Sequence, residues 1–149
     1  MTAQGFRKAE EITKQNAHTF YLTSLFLPKE KRLAAYTIYA ICRLSDESVD
    51  DNELSFVQKQ KRLSAVRDKI DLAFSTDAIE DPLLQVFRQT IQQYQIPKVY
   101  FDELVEGMSM DLVKNRYQNF DELYLYAYRV AGVIGLIMIK IFGYSDTAA

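Results

Sequence analysis

Histidine and cysteine are nearly absent from this chain: there is one of each, His18 and Cys42. A single thiol excludes an internal disulfide framework and suits a reducing compartment. One His and one Cys cannot build a zinc site. His18 has no nucleophile–base partner nearby, so hydrolytic chemistry is not indicated. Tryptophan is missing altogether. Charge of one sign is not in excess: 18 Lys and Arg against 20 Asp and Glu give a net −2, which excludes a general affinity for nucleic acid. The first residues, Met1 to Lys8, are polar and lack the apolar core of a signal peptide. No apolar run reaches the roughly 18 residues of a membrane span; the longest, Val130 to Ile139, lies between Arg129 and Lys140. A cytoplasmic setting is the expectation. No glycine-rich phosphate loop, lasting β alternation, internal repeat or low-complexity segment occurs.

What is present is enough apolar material for one domain spanning 1–149: 48% of the 149 residues are hydrophobic. Helical signals divide the chain. Gly5 to Leu27 reads as one helix with a break near Asn16 to His18. Pro28-Lys29-Glu30 opens a long helix running to Asp50, with proline at the first helical position. Leu54 to Phe74 follows, with Phe56, Leu63, Val66, Ile70 and Phe74 inward. Its opposite face (Lys59, Lys61, Arg62, Arg67, Lys69) reads as solvated surface, or alternatively as peripheral contact with an anionic membrane. Asp81 caps a helix begun by Pro82. Pro97 begins another, with Phe101, Leu104, Met108 and Leu112 as its core face. Gly107 within it costs about 1 kcal/mol against Ala, which suggests close packing or a ligand near the backbone. Asn115 to Asn119 is a turn. Asp121-Glu122 start a last helix to Ile141, stopped by Gly143. The fold class is all-α, with about six helices around an aromatic-rich interior. Ten Tyr and nine Phe suit an apolar ligand's lining or an ordinary core equally.

The long helix carries the most informative pattern. Tyr39, Arg43, Asp46 and Asp50 stand at offsets 0, 4, 7 and 11 and form one stripe on an otherwise apolar helix end. Asp46 and Asp50 are one turn apart, with Cβ atoms about 6 Å from each other. Such a pair repels itself unless a cation intervenes. Magnesium suits, since it binds through one or two carboxylates plus substrate phosphates. The alternative is a solvated helix end with Arg43 paired to Glu47.

Four stretches in order resemble the squalene/phytoene synthase family, the head-to-head prenyl transferases. They are His18-Thr19-Phe20-Tyr21 followed by Leu27-Pro28; Tyr39 to Asp51; Glu106 to Leu112; and Tyr126-Ala127-Tyr128-Arg129-Val130-Ala131-Gly132-Val133-Ile134-Gly135. The resemblance implies the all-α isoprenoid synthase fold around an apolar cavity. It also implies that two prenyl diphosphates, farnesyl or geranylgeranyl, are joined to give phytoene, dehydrosqualene or, with NADPH, squalene. Asp46 and Asp50 would bind Mg2+, Arg43 would contact diphosphate and Tyr39 would line the site. Asn16, Ala17, His18 and Thr19 match the segment that closes over the diphosphate, with Ala17 and His18 where the family commonly has hydroxyls. Tyr126 and Val130 to Gly132 would line the prenyl tunnel, and Asp111 would face them across the cavity.

One departure bears on function. The family's second aspartate motif lies on a later helix, and nothing after Asp111 supplies it. The chain therefore corresponds to the N-terminal half of a synthase domain, a partial isoprenoid synthase fold with apolar faces left uncovered. The expectations are a truncated protein incomplete alone, one completed by a separate C-terminal half or by self-association, or a non-catalytic helical lipid- or protein-binding and assembly module derived from the family.

Overall fold

The computed structural model describes residues 2–50, 53–113 and 118–143; the side chains of residues 2, 45–50, 111 and 113 lie outside the description. Among the described residues all regular structure is helical. Helices α1 (Thr2–Asn16) and α2 (His18–Ser24) are parted at Ala17, whose φ of −141° and ψ of 65° end the first and start the second. The break falls where the sequence placed it.

Helix α3 (Lys29–Asp50) has the expected length. Pro28 stands just outside it rather than at its first position: its carbonyl accepts from the Arg32 N–H at 2.9 Å, as an N-cap carbonyl does. Helix α4 (Phe56–Phe74) begins at a capping box, in which Ser55 accepts from the Gln58 N–H and Gln58 accepts from the Ser55 N–H. That box leaves Phe56 at the helix mouth, 46% exposed and not inward. Helix α5 (Pro82–Tyr94) starts as expected, with the Asp81 carboxylate accepting from the Leu83 N–H at 2.8 Å. Helix α6 (Lys98–Val113) buries Phe101, Leu104 and Met108. The turn expected at Asn115 to Asn119 lies partly outside the described residues.

The expected last helix is three pieces: α7 (Phe120–Ala127), a π-turn (Tyr128–Gly132) and α8 (Val133–Phe142). Together they form a rod, Phe120–Phe142, of 23 residues with mean hydropathy 1.7. By length and composition it could cross a membrane, which corrects the count made from uninterrupted apolar runs: a continuous helix averages Arg129 in with its apolar neighbours. Only 17% of its apolar window is buried inside the fold.

Helix α3 is the axle. From Ala34 to Cys42 every residue except Tyr39 is buried, and α1, α4, α5, α6 and α8 all pack on it. A helix apolar on all sides can be satisfied only in this way. Phe87 and Phe101 meet edge to face at 5.0 Å in the same core. Tyr36 is fully buried with its hydroxyl donating to the Tyr21 carbonyl at 3.1 Å, so its polar end is satisfied. Two cations close helix ends. Arg88 donates to the Leu72 and Ala73 carbonyls at the end of α4, at 2.6 and 3.1 Å. Lys31 donates to the Phe142 carbonyl at the end of α8, at 2.7 Å.

Candidate functional site

The buried helix α3 opens to the surface at Tyr39 and then at Arg43, both part-exposed. These are the first two residues of the sequence stripe. The helix continues unbroken to Asp50, which keeps Asp46 and Asp50 one turn apart on the same side. Their side chains lie outside the described residues, as does that of Asp111 on α6.

Phe20 ties α2 to this opening. Its ring stacks on Tyr39 with centroids 5.9 Å apart and meets Tyr36 edge-on at 6.4 Å, while Tyr21 stacks on Tyr36 at 5.6 Å. This aromatic cluster joins α2 to the Tyr39 end of the stripe, directly after the Asn16–Thr19 segment in sequence. Within that segment, Asn16 is exposed with its amide donating to the Ile12 carbonyl at 2.8 Å. Ala17 is half-buried, and His18 and Thr19 are exposed. The role of Phe20 was missed in the sequence; its signal was the aromatic spacing of Phe20 and Tyr21 against Tyr36 and Tyr39.

On the rod, Tyr126 and Val130 are half-buried and Gly132 is exposed. A Cβ at Gly132 would stand 3.2 Å from the Tyr128 ring, which lies over it one turn earlier. Gly107 on α6 is explained by packing: a Cβ there would come within 2.7 Å of Val130 Cγ1 and 2.8 Å of Arg129 Cβ. Of the two readings left open for this glycine, close helix approach is the one the structure supports. Arg129 is a second residue the sequence did not flag. It pairs with Glu103 at 2.8 Å, and its guanidinium reaches Met110 Sδ at 3.4 Å.

Two open hollows of about 320 and 420 Å3 lie away from these residues, along α1 and the start of α3, and share Phe6, Lys29 and Leu33 in their walls. None of the predicted site residues lines either. Among the described residues no group of three His, Cys, Asp or Glu side chains is placed to hold a metal. The donor set of the stripe, two carboxylates at one-turn spacing beside an arginine, is nonetheless of the oxygen-only kind that magnesium takes together with phosphate.

The sequence pattern of squalene/phytoene synthases matches residues 13–149. The chain belongs to the squalene/phytoene synthase family. Chloroplastic phytoene synthase 1 of Arabidopsis thaliana is 35% identical over 143 residues, which are 96% of this chain and 33% of that protein. The 15-cis-phytoene synthase of Synechococcus elongatus is 34% identical over 145 residues, 97% of this chain and 46% of the relative. Among solved structures, squalene synthase HpnC from Alicyclobacillus acidocaldarius superposes with a TM-score of 0.86 at 26% identity, covering 99% of this chain and 54% of the other. A dehydrosqualene synthase in complex with ligand superposes with a TM-score of 0.84 at 24% identity and shares the fold, over 94% of this chain and 48% of its own. This family member thus spans between a third and a little over half the length of those relatives. The all-α architecture expected from the sequence is that of the solved neighbours.

Proposed function

We propose that this chain carries the diphosphate-gripping part of a head-to-head prenyl transferase, acting on farnesyl or geranylgeranyl diphosphate. The observation that carries the reading is the buried helix α3 that opens at Tyr39 and Arg43 and runs on through Asp46 and Asp50. Asp46 and Asp50 would hold Mg2+, which when bound neutralises the charge growing on a leaving diphosphate. Arg43 supplies a permanently charged donor to the same phosphate oxygens. Tyr39 and Phe20 offer aromatic faces toward an electron-poor allylic chain, and Tyr126, Val130 and Gly132 would give the chain an apolar bed. Asn16, His18 and Thr19 supply donors at the rim beside Ala17, and Asp111 supplies a polar group from α6. Loss of diphosphate breaks a C–O bond, and the electron pair leaves with the diphosphate. The double bond of the second prenyl chain then forms the new C–C bond, the resulting cation loses a proton as a cyclopropane ring closes, and departure of the second diphosphate with rearrangement leads to the hydrocarbon. NADPH enters only for a squalene-type product.

The rod supports a partner. Phe120, Leu123, Tyr124, Leu125, Tyr128 and Ile139 are exposed along it, with Phe120 at 75%. A patch of this kind marks an interaction surface, and the solved relatives carry about as much chain again as this one matches. We assign to it a polypeptide bearing the remainder of the fold, with self-association as the lesser choice. The setting proposed is cytoplasmic, with peripheral membrane contact through the basic face of α4; a buried thiol at Cys42, outside any disulfide, is compatible with it.

The same apolar face favours a second reading, a non-catalytic lipid- or protein-binding assembly module. Incubation of the chain with labelled geranylgeranyl or farnesyl diphosphate and Mg2+, alone and with the complementary part of a phytoene synthase, separates the two. A C40 or C30 product that requires Asp46 and Asp50 supports the transferase. Its absence in both mixtures, with retained capture of lipid or protein, supports the module.

A further inference from the structure

The described surface carries a second apolar patch, apart from the rod, at the turn between α2 and α3. Phe26 is 93% exposed there, and Leu22 and Leu25 are 46% and 45% exposed. The local backbone gathers the three. The Leu25 N–H donates to the Leu22 carbonyl at 3.2 Å and the Phe26 N–H to the Thr23 carbonyl at 3.3 Å, so the winding of α2 continues into the turn. Residues three and four apart then share a side. Phe20 and Tyr21 stack on Tyr39 and Tyr36, and Ser24 is buried. Helix α2 thus turns one face to the core and leaves an apolar one in solvent.

Cations flank the bare face. Lys29, Lys31 and Arg32 follow it in sequence, against one acid, Glu30, whose carboxylate accepts from the Gln93 amide. Lys31 Nζ donates to the Phe142 carbonyl at 2.7 Å, which brings the last turn of α8 to the start of α3, with Lys140 exposed on it. Lys29, Arg32 and Lys140 form no ion pair among the described residues. Three such side chains are too few for a protein interface of their own. Even a large aromatic ring buries only about 150–250 Å2, against roughly 800 Å2 from each partner of a standard complex. An aromatic tip beside lysine and arginine instead matches a bilayer surface: apolar groups enter the boundary between headgroups and acyl chains, and the cations stay at anionic headgroups.

We propose that the α2–α3 turn is a membrane-insertion tip, with Phe26 as its anchor and anionic phospholipid as its partner. It is a contact separate from the basic face of α4, and it rests neither on that face nor on the transferase reading. The chain contains no tryptophan, so Phe26→Trp places a single reporter at the tip. With vesicles of equal parts phosphatidylcholine and phosphatidylglycerol, its emission is expected to shift to the blue. Brominated acyl chains should quench it more than they quench Phe120→Trp on the rod or Val57→Trp on α4. Vesicles of phosphatidylcholine alone, or added salt, should weaken the shift several-fold. In flotation, Phe26→Ser should lower the partition of the chain onto vesicles roughly tenfold or more, from the transfer of one phenylalanine side chain. Lys29→Gln with Lys140→Gln should remove the preference for anionic lipid. Because Phe26 lies almost wholly in solvent, circular dichroism of its variants should match the parent. A Phe26→Ser chain that floats like the parent, or quenching weaker at position 26 than at 120 or 57, overturns the proposal. So does a chain that binds no vesicle while Phe26→Ser dissociates a dimer or weakens joining to the complementary part of a phytoene synthase, since the tip would then belong to a polypeptide.

Discussion

Replacing Gly107 by alanine sets two known effects against each other. Alanine in a helix interior gains about 1 kcal/mol over glycine. At this site the new methyl would stand 2.7 Å from Val130 Cγ1, 2.8 Å from Arg129 Cβ and 3.3 Å from the Arg129 carbonyl carbon. None of these is the loose end of a flexible side chain. Val130 is β-branched and stiff about χ1, and the Arg129 atoms are backbone or attached to it. Overpacking of this kind costs about 1–3 kcal/mol, and the helix must also move off the Arg129–Glu103 pair. The net expectation is a loss of up to about 2 kcal/mol once the propensity gain is subtracted. Gly135→Ala is the internal control: a Cβ there meets nothing within 4 Å, so only the propensity gain of about 1 kcal/mol remains. Urea unfolding followed by circular dichroism measures both. At about 2–4 °C per kcal/mol for a chain near this size, the two variants should melt on opposite sides of the parent. A Gly107→Ala chain as stable as Gly135→Ala would refute the contact between α6 and the π-turn, and with it the account of why glycine stands there.

Other expectations follow from single contacts. Burial raises the pKa of Tyr36 above the ordinary 10.0, so the folded chain keeps a proton that the unfolded chain loses first. The stability this provides is whole below pH 10 and is lost as the pH rises toward the raised value. Tyr36→Phe should flatten that alkaline loss in pH-dependent melting, while costing about 1 kcal/mol at neutral pH through the unpaired Tyr21 carbonyl. Arg88→Ala removes charged donors from the Leu72 and Ala73 carbonyls; a loss of about 2 kcal/mol in urea unfolding is expected, with faster amide exchange in the last turn of α4.

Much of this fold was legible because its signals are local. The Asp81–Pro82 start, the break near Ala17 and the Gly143 stop each depend on a few adjacent residues, and Gly143 indeed adopts a φ of +74°. The buried axle was legible in the apolar run around Ile38 and Ile41. The π-turn was not, because Tyr126, Val130, Val133, Ile137 and Ile141 spell an uninterrupted helix. The π-turn packs against α6 at Gly107, a contact far away in sequence. Phe56 was misjudged for a similar reason: the Ser55 capping box, and not helical periodicity, decides its direction. The Tyr39–Arg43 opening was visible as a stripe, whereas its link to α2 through Phe20 needed the three-dimensional stacking of rings.

The central claim is that the α3 stripe grips a cation and, through it, a diphosphate. Calorimetric titration of the chain with a non-ionisable thio analogue of farnesyl diphosphate, with Mg2+ and then with the metal chelated, tests it most directly. The account predicts binding that needs Mg2+ and disappears in the Asp46→Ala, Asp50→Ala double variant. Binding indifferent to both the metal and the two carboxylates, or none at all, would contradict it.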